Sequence, residues 1–250
     1  MTKFCANIST LFSEVPFLER FGAARSAGFG AVEVAFPYDH AVPDMLDMLG
    51  RNELSLAMIT CPPPNYTGGD RGFAAVPGLE TRFQQDFRRT QRYAKALGAR
   101  HIHIMSGVGA GPDALRTYLE NLRWAAAHAP DHSLTIEPMS DAAVPGYFLN
   151  DCVQAVEIVK EVGAPNLGLQ FDTCHAHQIH GDVFGVWSLV KDYVTHVQIA
   201  QSPGRKSPDQ PGQIDTQAFV KQIVKDGYKG WIAGEYTPEG MTRSELAWVS

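Results

Sequence analysis

Short apolar runs and longer amphipathic stretches alternate along the whole chain. KFCANIS (3–9), AVEVAFP (31–37), LSLAMIT (54–60), RHIHIMSG (100–107), SLTIEPM (133–139), NLGLQFDT (166–173), THVQIAQ (195–201) and GWIAGEYTP (230–238) have the length and flanking turn residues of strands. The intervening segments 15–28, 42–52, 80–98, 112–128, 151–162, 183–192 and 215–226 read as helices, and a short last helix is expected before Ser250. Strands that alternate with helices form right-handed βαβ units around a parallel sheet. Eight such units in 250 residues predict a (β/α)₈ TIM barrel, with residues 1–250 forming one domain and no linker.

A second pattern lies inside the strands, where successive side chains point to opposite faces. One face is aliphatic: Val32 and Val34, Leu134 and Ile136, Leu167, Leu169 and Phe171, Val197 and Ile199. The other carries Glu33, Ser133, Thr135, Glu137, Gln170, Asp172, His196 and Gln198. A barrel interior with only a structural task is filled with Val, Ile and Leu. Polar groups converging there need partners, which a functional site supplies.

Composition narrows the function classes. The net charge of −6, without long Lys/Arg runs, argues against a nucleic-acid partner. No segment has transmembrane length, and the start MTKFCANIST lacks the pattern of a signal peptide, so a cytoplasmic protein with no membrane partner is expected. Cys5, Cys61, Cys152 and Cys174 form no CxxC pair and read as reduced, buried thiols. The oligomeric state is open, and a homo-oligomer is one expectation.

The candidate chemistry sits at strand ends. Glu137, Asp172, Gln198 and Glu235 fall near the C-terminal ends of strands 5 to 8. Neighbouring strands lie roughly 5 Å apart, so these tips would ring one small volume at the end of a barrel where active sites form. Three carboxylates and an amide are oxygen donors that suit Mg²⁺ or Mn²⁺ better than Zn²⁺. The alternative is that each carboxylate pairs separately with a nearby Arg or Lys. His175, three residues after Asp172, and His103 on strand 4 are candidates for substrate contact, and each has a purely structural alternative. SGVGAGP (106–112) lacks the GxGxxG spacing and reads as a strand–helix loop. CPPPNYTGGDRGF (61–73) is long enough to act as a lid. Arg71 and Arg205 are the loop arginines best suited to grip an anionic substrate with two hydrogen bonds.

The segments ANISTLFSEVPFLERF, VEVAFPYD, GDRGFAAVPG, IHIMSGV, IEPMSDAAVPGYFLN, HVQIAQSPGR and GEYTP follow one another in an order that resembles the hydroxypyruvate isomerase family, over essentially the whole chain. That family, which includes 2-oxo-tetronate isomerases, lies among the xylose-isomerase-like TIM barrels. The resemblance implies an isomerase acting on a small hydroxy-oxo acid or sugar-like substrate, without an organic cofactor. It places Glu137 and Glu235 on the two proton-transferring glutamates, Asp172 and Gln198 on the remaining metal positions, and His175 on a substrate contact. Family members commonly read Glu-Pro-Ile-Asn-Thr-Arg after strand 5, where this chain has Glu137-Pro138-Met139-Ser140-Asp141-Ala142. After strand 7 the family's Ala-Asp-Asn-Pro-Gly-Arg is Ala200-Gln201-Ser202-Pro203-Gly204-Arg205, and its Gly-Glu-Ile is Gly212-Gln213-Ile214. With the arginine after strand 5 absent, Arg71 or Arg205 is expected to anchor a substrate carboxylate. A sugar epimerase would use the same barrel, metal and glutamates. A hydrolase of the endonuclease IV type would want several His ligands and a basic surface, and a non-catalytic binding role would not need two carboxylates beside a metal.

Overall fold

Strands β1 (Lys3–Asn7), β2 (Ala31–Val34), β3 (Ser55–Cys61), β4 (His101–Ile104), β5 (Ser133–Ile136), β6 (Leu167–Asp172), β7 (Val194–Ile199) and β8 (Trp231–Gly234) pair in parallel with their sequence neighbours. β8 returns to pair with β1 and closes the barrel. The computed structural model describes residues 2–62 and 71–249, so the lid reading of residues 63–70 lies outside the described residues.

Helices α1 (Glu19–Ser26), α2 (Val42–Arg51), α3 (Glu80–Leu97), α4 (Gly111–His128), α5 (Cys152–Val162), α6 (Thr173–His180), α7 (Val183–Val190) and α8 (Thr216–Lys225) form the outer ring. The aliphatic strand face packs beneath them. Phe171 of β6, for example, lies against Trp187 of α7 and Phe219 of α8, with ring centroids 5.4 and 5.7 Å away. Burying an aromatic side chain of this kind contributes about 1.5–3 kcal/mol over leaving it exposed.

Two expectations are corrected. The segment after β6 holds two helices rather than one at 183–192. Asp172 ends the strand and caps α6 at once, its Oδ1 accepting the His175 N–H at 2.8 Å. The expected last helix is replaced among the described residues by two 3-10 turns, Thr242–Glu245 and Ala247–Val249. Tertiary contacts hold these turns: Thr242 Oγ1 accepts from the Phe12 N–H at 2.7 Å, and Trp248 packs edge-on against Phe4. A cavity of about 1430 Å³, lined by α8, the second of these turns and Trp231, lies outside the barrel, and it includes none of the strand-tip carboxylates.

The barrel interior is layered. Cys5, Ala31, Ala57 and Ala233 form a small apolar cluster of their own, separate from the core beneath the helices. Register places Glu33 beside Asn7, Gln170 beside His196, and Asp172 beside Gln198, so polar side chains stack above that floor. At the mouth, the loops after β3 and β4 meet at Gly72 (φ +95°), where a Cβ would come within 2.5 Å of the Met105 carbonyl oxygen. Only glycine combines that left-handed backbone with so close an approach.

Candidate active site

Glu137 stands one residue past β5, Asp172 ends β6 and Glu235 stands one residue past β8. One oxygen from each can be chosen so that all three lie within 4.8 Å of one another, the metal-competent cluster found among the described residues. Glu137 and Asp172 are buried, whereas the Glu235 side chain keeps 22% of its surface exposed.

Arg205 enters this cluster from the loop after β7. Its own backbone is left-handed (φ +50°) behind Gly204 (φ +85°), and the loop is pinned by the Gln201–Lys206 bridge. Arg205 Nη2 donates to Asp172 Oδ2 at 2.9 Å and to Glu235 Oε2 at 2.6 Å. One guanidinium thus serves two carboxylates and makes no hydrogen bond to Glu137 among the described residues. Glu137 instead accepts from Gln170 Nε2 at 3.0 Å, with His103 Nε2 3.6 Å away.

The electrostatics follow from this uneven sharing. Burial, then the neighbouring Glu235 and Asp172 charges, holds Glu137 well above the usual carboxylate range. Glu235 is pushed up to about 7, chiefly by burial and further by Glu33 and Asp172, with Arg205 opposing the rise. Its partial exposure lets solvent temper that shift. His175 falls to about 4 and His103 to about 3, both through burial, so both imidazoles are neutral at physiological pH.

Donors face both ring nitrogens of His175, with Arg205 Nη1 3.2 Å from Nε2. Nδ1 accepts the Ser140 backbone N–H at 3.3 Å and lies 3.3 Å from Ser140 Oγ, whose hydroxyl donates to Gln178 Oε1. Ala142, Ala143, Cys174, His175, Gln178 and Arg205 line a cavity of about 140 Å³ at this edge of the cluster.

The other residues singled out in the sequence are placed as follows. His103 faces Glu137 and its Nε2 has no hydrogen-bond partner among the described residues. Gln198 lies buried beside Asp172, its oxygen taking a hydrogen bond from Gln170 at 2.8 Å and its amide donating to Glu33 at 2.6 Å. Arg71 is exposed, and no contact among the described residues joins it to the carboxylates. Gln170, Gln178 and Ser140 were not read as site residues. Gln170 carried a signal, being the inward position two residues before Asp172, whereas Gln178 depends on a helix that the sequence pattern did not reveal.

A hard divalent cation suits this donor set. Glu137, Asp172 and Glu235 offer only oxygen, and their summed charge exceeds what Arg205 neutralises. An ion held by Asp172 and Glu235 would share those carboxylates with the guanidinium.

Comparison with known proteins places this geometry in context. The family model described as "Xylose isomerase-like TIM barrel" matches residues 21–250. The chain is 40% identical over 257 residues to a 2-oxo-tetronate isomerase of Cupriavidus necator, covering 100% of this chain and 98% of that protein. It is 34% identical over 255 residues to the hydroxypyruvate isomerase of Escherichia coli, with the same coverage. Among solved structures, a Brucella melitensis protein described as "AP endonuclease, family 2" superposes with a TM-score of 0.94 at 38% identity, over 99% of this chain and 98% of that one.

Proposed function

Because the chain belongs to the xylose isomerase-like TIM barrel family, and within it to the hydroxypyruvate isomerase family, we propose that it interconverts hydroxypyruvate and tartronate semialdehyde, or a similar small hydroxy-oxo acid pair, through an enediolate. The observation that carries this reading is the convergence of two glutamates, Glu137 and Glu235, with Asp172 in one cluster whose chosen oxygens lie within 4.8 Å of one another. Burial and the neighbouring carboxylates raise Glu137 well above the usual carboxylate range, and Glu235 is pushed up to about 7. Two carboxyls raised toward neutrality side by side can serve as a proton-transfer pair.

Glu235, ionised, removes the proton from the carbon beside the carbonyl. Glu137, protonated, delivers one to the neighbouring carbon, and the hydroxyl proton passes to the former carbonyl oxygen, so the substrate gains and loses no atoms. His175 and Arg205 line the cavity into which the carboxylate end of the substrate fits, with Arg205 as its anchor. Glu137, Asp172, Gln198 and Glu235 would hold Mg²⁺ or Mn²⁺, and no organic cofactor is required. When bound, the ion polarises the substrate carbonyl and offsets the negative charge that develops on the enediolate. General acid–base transfer supplies about 10²–10⁴-fold, short of the ~10⁶-fold or more that enzymes typically reach, so positioning and electrostatics must supply the rest.

The deciding experiment incubates the protein with hydroxypyruvate and Mg²⁺ in D₂O and follows the reaction by NMR. Appearance of the tartronate semialdehyde signals supports the proposal. An unchanged spectrum with hydroxypyruvate and with four-carbon hydroxy-oxo acids would falsify it.

A further inference from the structure

Glu33, on β2, is a fully buried carboxylate that the proposed chemistry does not use. Asn7 Nδ2 donates to its Oε1 at 2.9 Å, Gln198 Nε2 to the same oxygen at 2.6 Å, and His196 Nε2 lies 2.6 Å from its Oε2. The orientation of Asn7 is set independently, because its Oδ1 accepts the backbone N–H of Ser9 at 3.0 Å and leaves only the NH₂ end for Glu33. Oε1 of Glu33 is therefore an acceptor.

That single fact fixes a sequence of side chains. An acceptor at Glu33 demands the NH₂ end of Gln198, which turns the Gln198 oxygen toward Gln170. This oxygen in turn demands the NH₂ end of Gln170 at 2.8 Å, and the same NH₂ reaches Glu137 Oε2 at 3.0 Å. Thr135 Oγ1 donates to the remaining Gln170 oxygen at 3.2 Å and closes the sequence. Each amide has two unlike ends, so reversing any one would set donor against donor or acceptor against acceptor.

We propose that Glu33 is a positioning residue: it sets the polarity of the Gln198–Gln170 amide chain, and so fixes both the hydrogen bond that holds Glu137 and the direction in which the Gln198 oxygen points. The inference rests on the proton-transfer reading of Glu137 for its catalytic consequence, but not for its geometry.

The test compares Glu33→Met, Glu33→Gln, Gln170→Met and the Glu33→Met/Gln170→Met double variant. Glu33→Met keeps length and removes the acceptor, and kcat for hydroxypyruvate is expected to fall roughly 10–100-fold with KM little changed. Glu33→Gln can still turn an oxygen to Asn7 and Gln198 and an NH₂ to His196, so it is expected to recover most of that loss. The double variant should be no slower than Gln170→Met, because the chain is already cut. In ¹⁵N-resolved spectra the side-chain amide of Gln170 should shift in Glu33→Met, a readout that needs no turnover. Should Glu33→Met fail to fold, Glu33→Asp withdraws the acceptor by one methylene and is expected to show a smaller loss, again non-additive with Gln170→Met. Losses that multiply, or an unmoved Gln170 amide, overturn the inference and leave the proton-transfer reading standing. A fully active Glu137→Gln variant overturns that reading and, with it, the effect of Glu33 on turnover.

Discussion

Arg205 Nη2 stands 2.6 Å from Glu235 Oε2, so the residue proposed as general base is also a partner in an ion pair. The guanidinium opposes the rise of Glu235 through a direct ion pair and that of Glu137 only through its field.

Arg205→Ala removes the cation that two carboxylates share. Losing hydrogen bonds between charged groups costs about 1.5–3 kcal/mol each, so the variant is expected to melt at lower temperature, and Mg²⁺ or Mn²⁺ is expected to restore part of that loss. KM for hydroxypyruvate should rise ~10-fold or more. Arg205→Lys keeps the charge without the planar fork and should recover stability better than KM. Arg71→Ala is the comparison: a KM effect as large as that of Arg205→Ala would show that Arg71 shares the anchoring.

Glu235→Gln and Glu137→Gln keep shape but cannot carry a proton back and forth. Each is expected to lose roughly 10²-fold or more in kcat, and the double variant should be little slower than either single one, because the two groups act as a unit. Steady-state kinetics on folded protein decides this. Full activity in Glu235→Gln removes it from the mechanism.

The pH dependence has a stated sign. As a base, Glu235 must be ionised, so kcat/KM should climb as pH rises through about 7. For folding the effect is opposite. Glu235 binds its proton more tightly in the folded chain, so the associated stability is present below its ordinary value of 4.5 and is lost as pH rises through about 7. Glu137, also raised, makes a contribution of the same sign that is lost as pH rises. Glu137→Gln should therefore hold or raise Tm at pH 8 while turnover is lost, as expected of a group kept for function at a cost in stability. A structural hydrogen bond would give the reverse, a lower Tm with turnover per folded molecule intact.

Removing divalent ions with EDTA is expected to suppress turnover, with Mg²⁺ or Mn²⁺ restoring it. Either ion should also raise Tm with a concentration dependence that follows its Kd. Activity that survives dialysis against chelator leaves a metal-free two-glutamate reaction as the surviving form.

Much of this was legible in the chain itself. Alternation in SLTIEPM and NLGLQFD separates Leu134, Ile136, Leu169 and Phe171, which pack outward, from Thr135, Gln170 and Asp172, which turn inward. Strand tips could be placed because parallel register carries them around the barrel. What escaped detection depends on contacts remote in sequence. TCHAHQIH forms α6 because Asp172 caps it, although the segment has neither a long apolar stripe nor a strong helix former at most positions. The 3-10 turns at 242–249 are held by Phe12 and Phe4 from the other end of the chain. Arg205 reads as a substrate anchor from its loop, but its left-handed backbone turns it onto Asp172 and Glu235, a direction no pattern of residue types specifies.

Glu137 is 3% exposed, while the Glu235 side chain keeps 22% of its surface in contact with water. For an isotope label, the two carboxyls are unequal ports. A hydrogen taken up by Glu235 can be exchanged with the medium before it moves on, whereas one lodged on Glu137 is sheltered from washout. Tracer entering a product from labelled water should therefore depend on which glutamate delivers the hydrogen. The two directions of the reaction would leave different isotopic records in the same molecule.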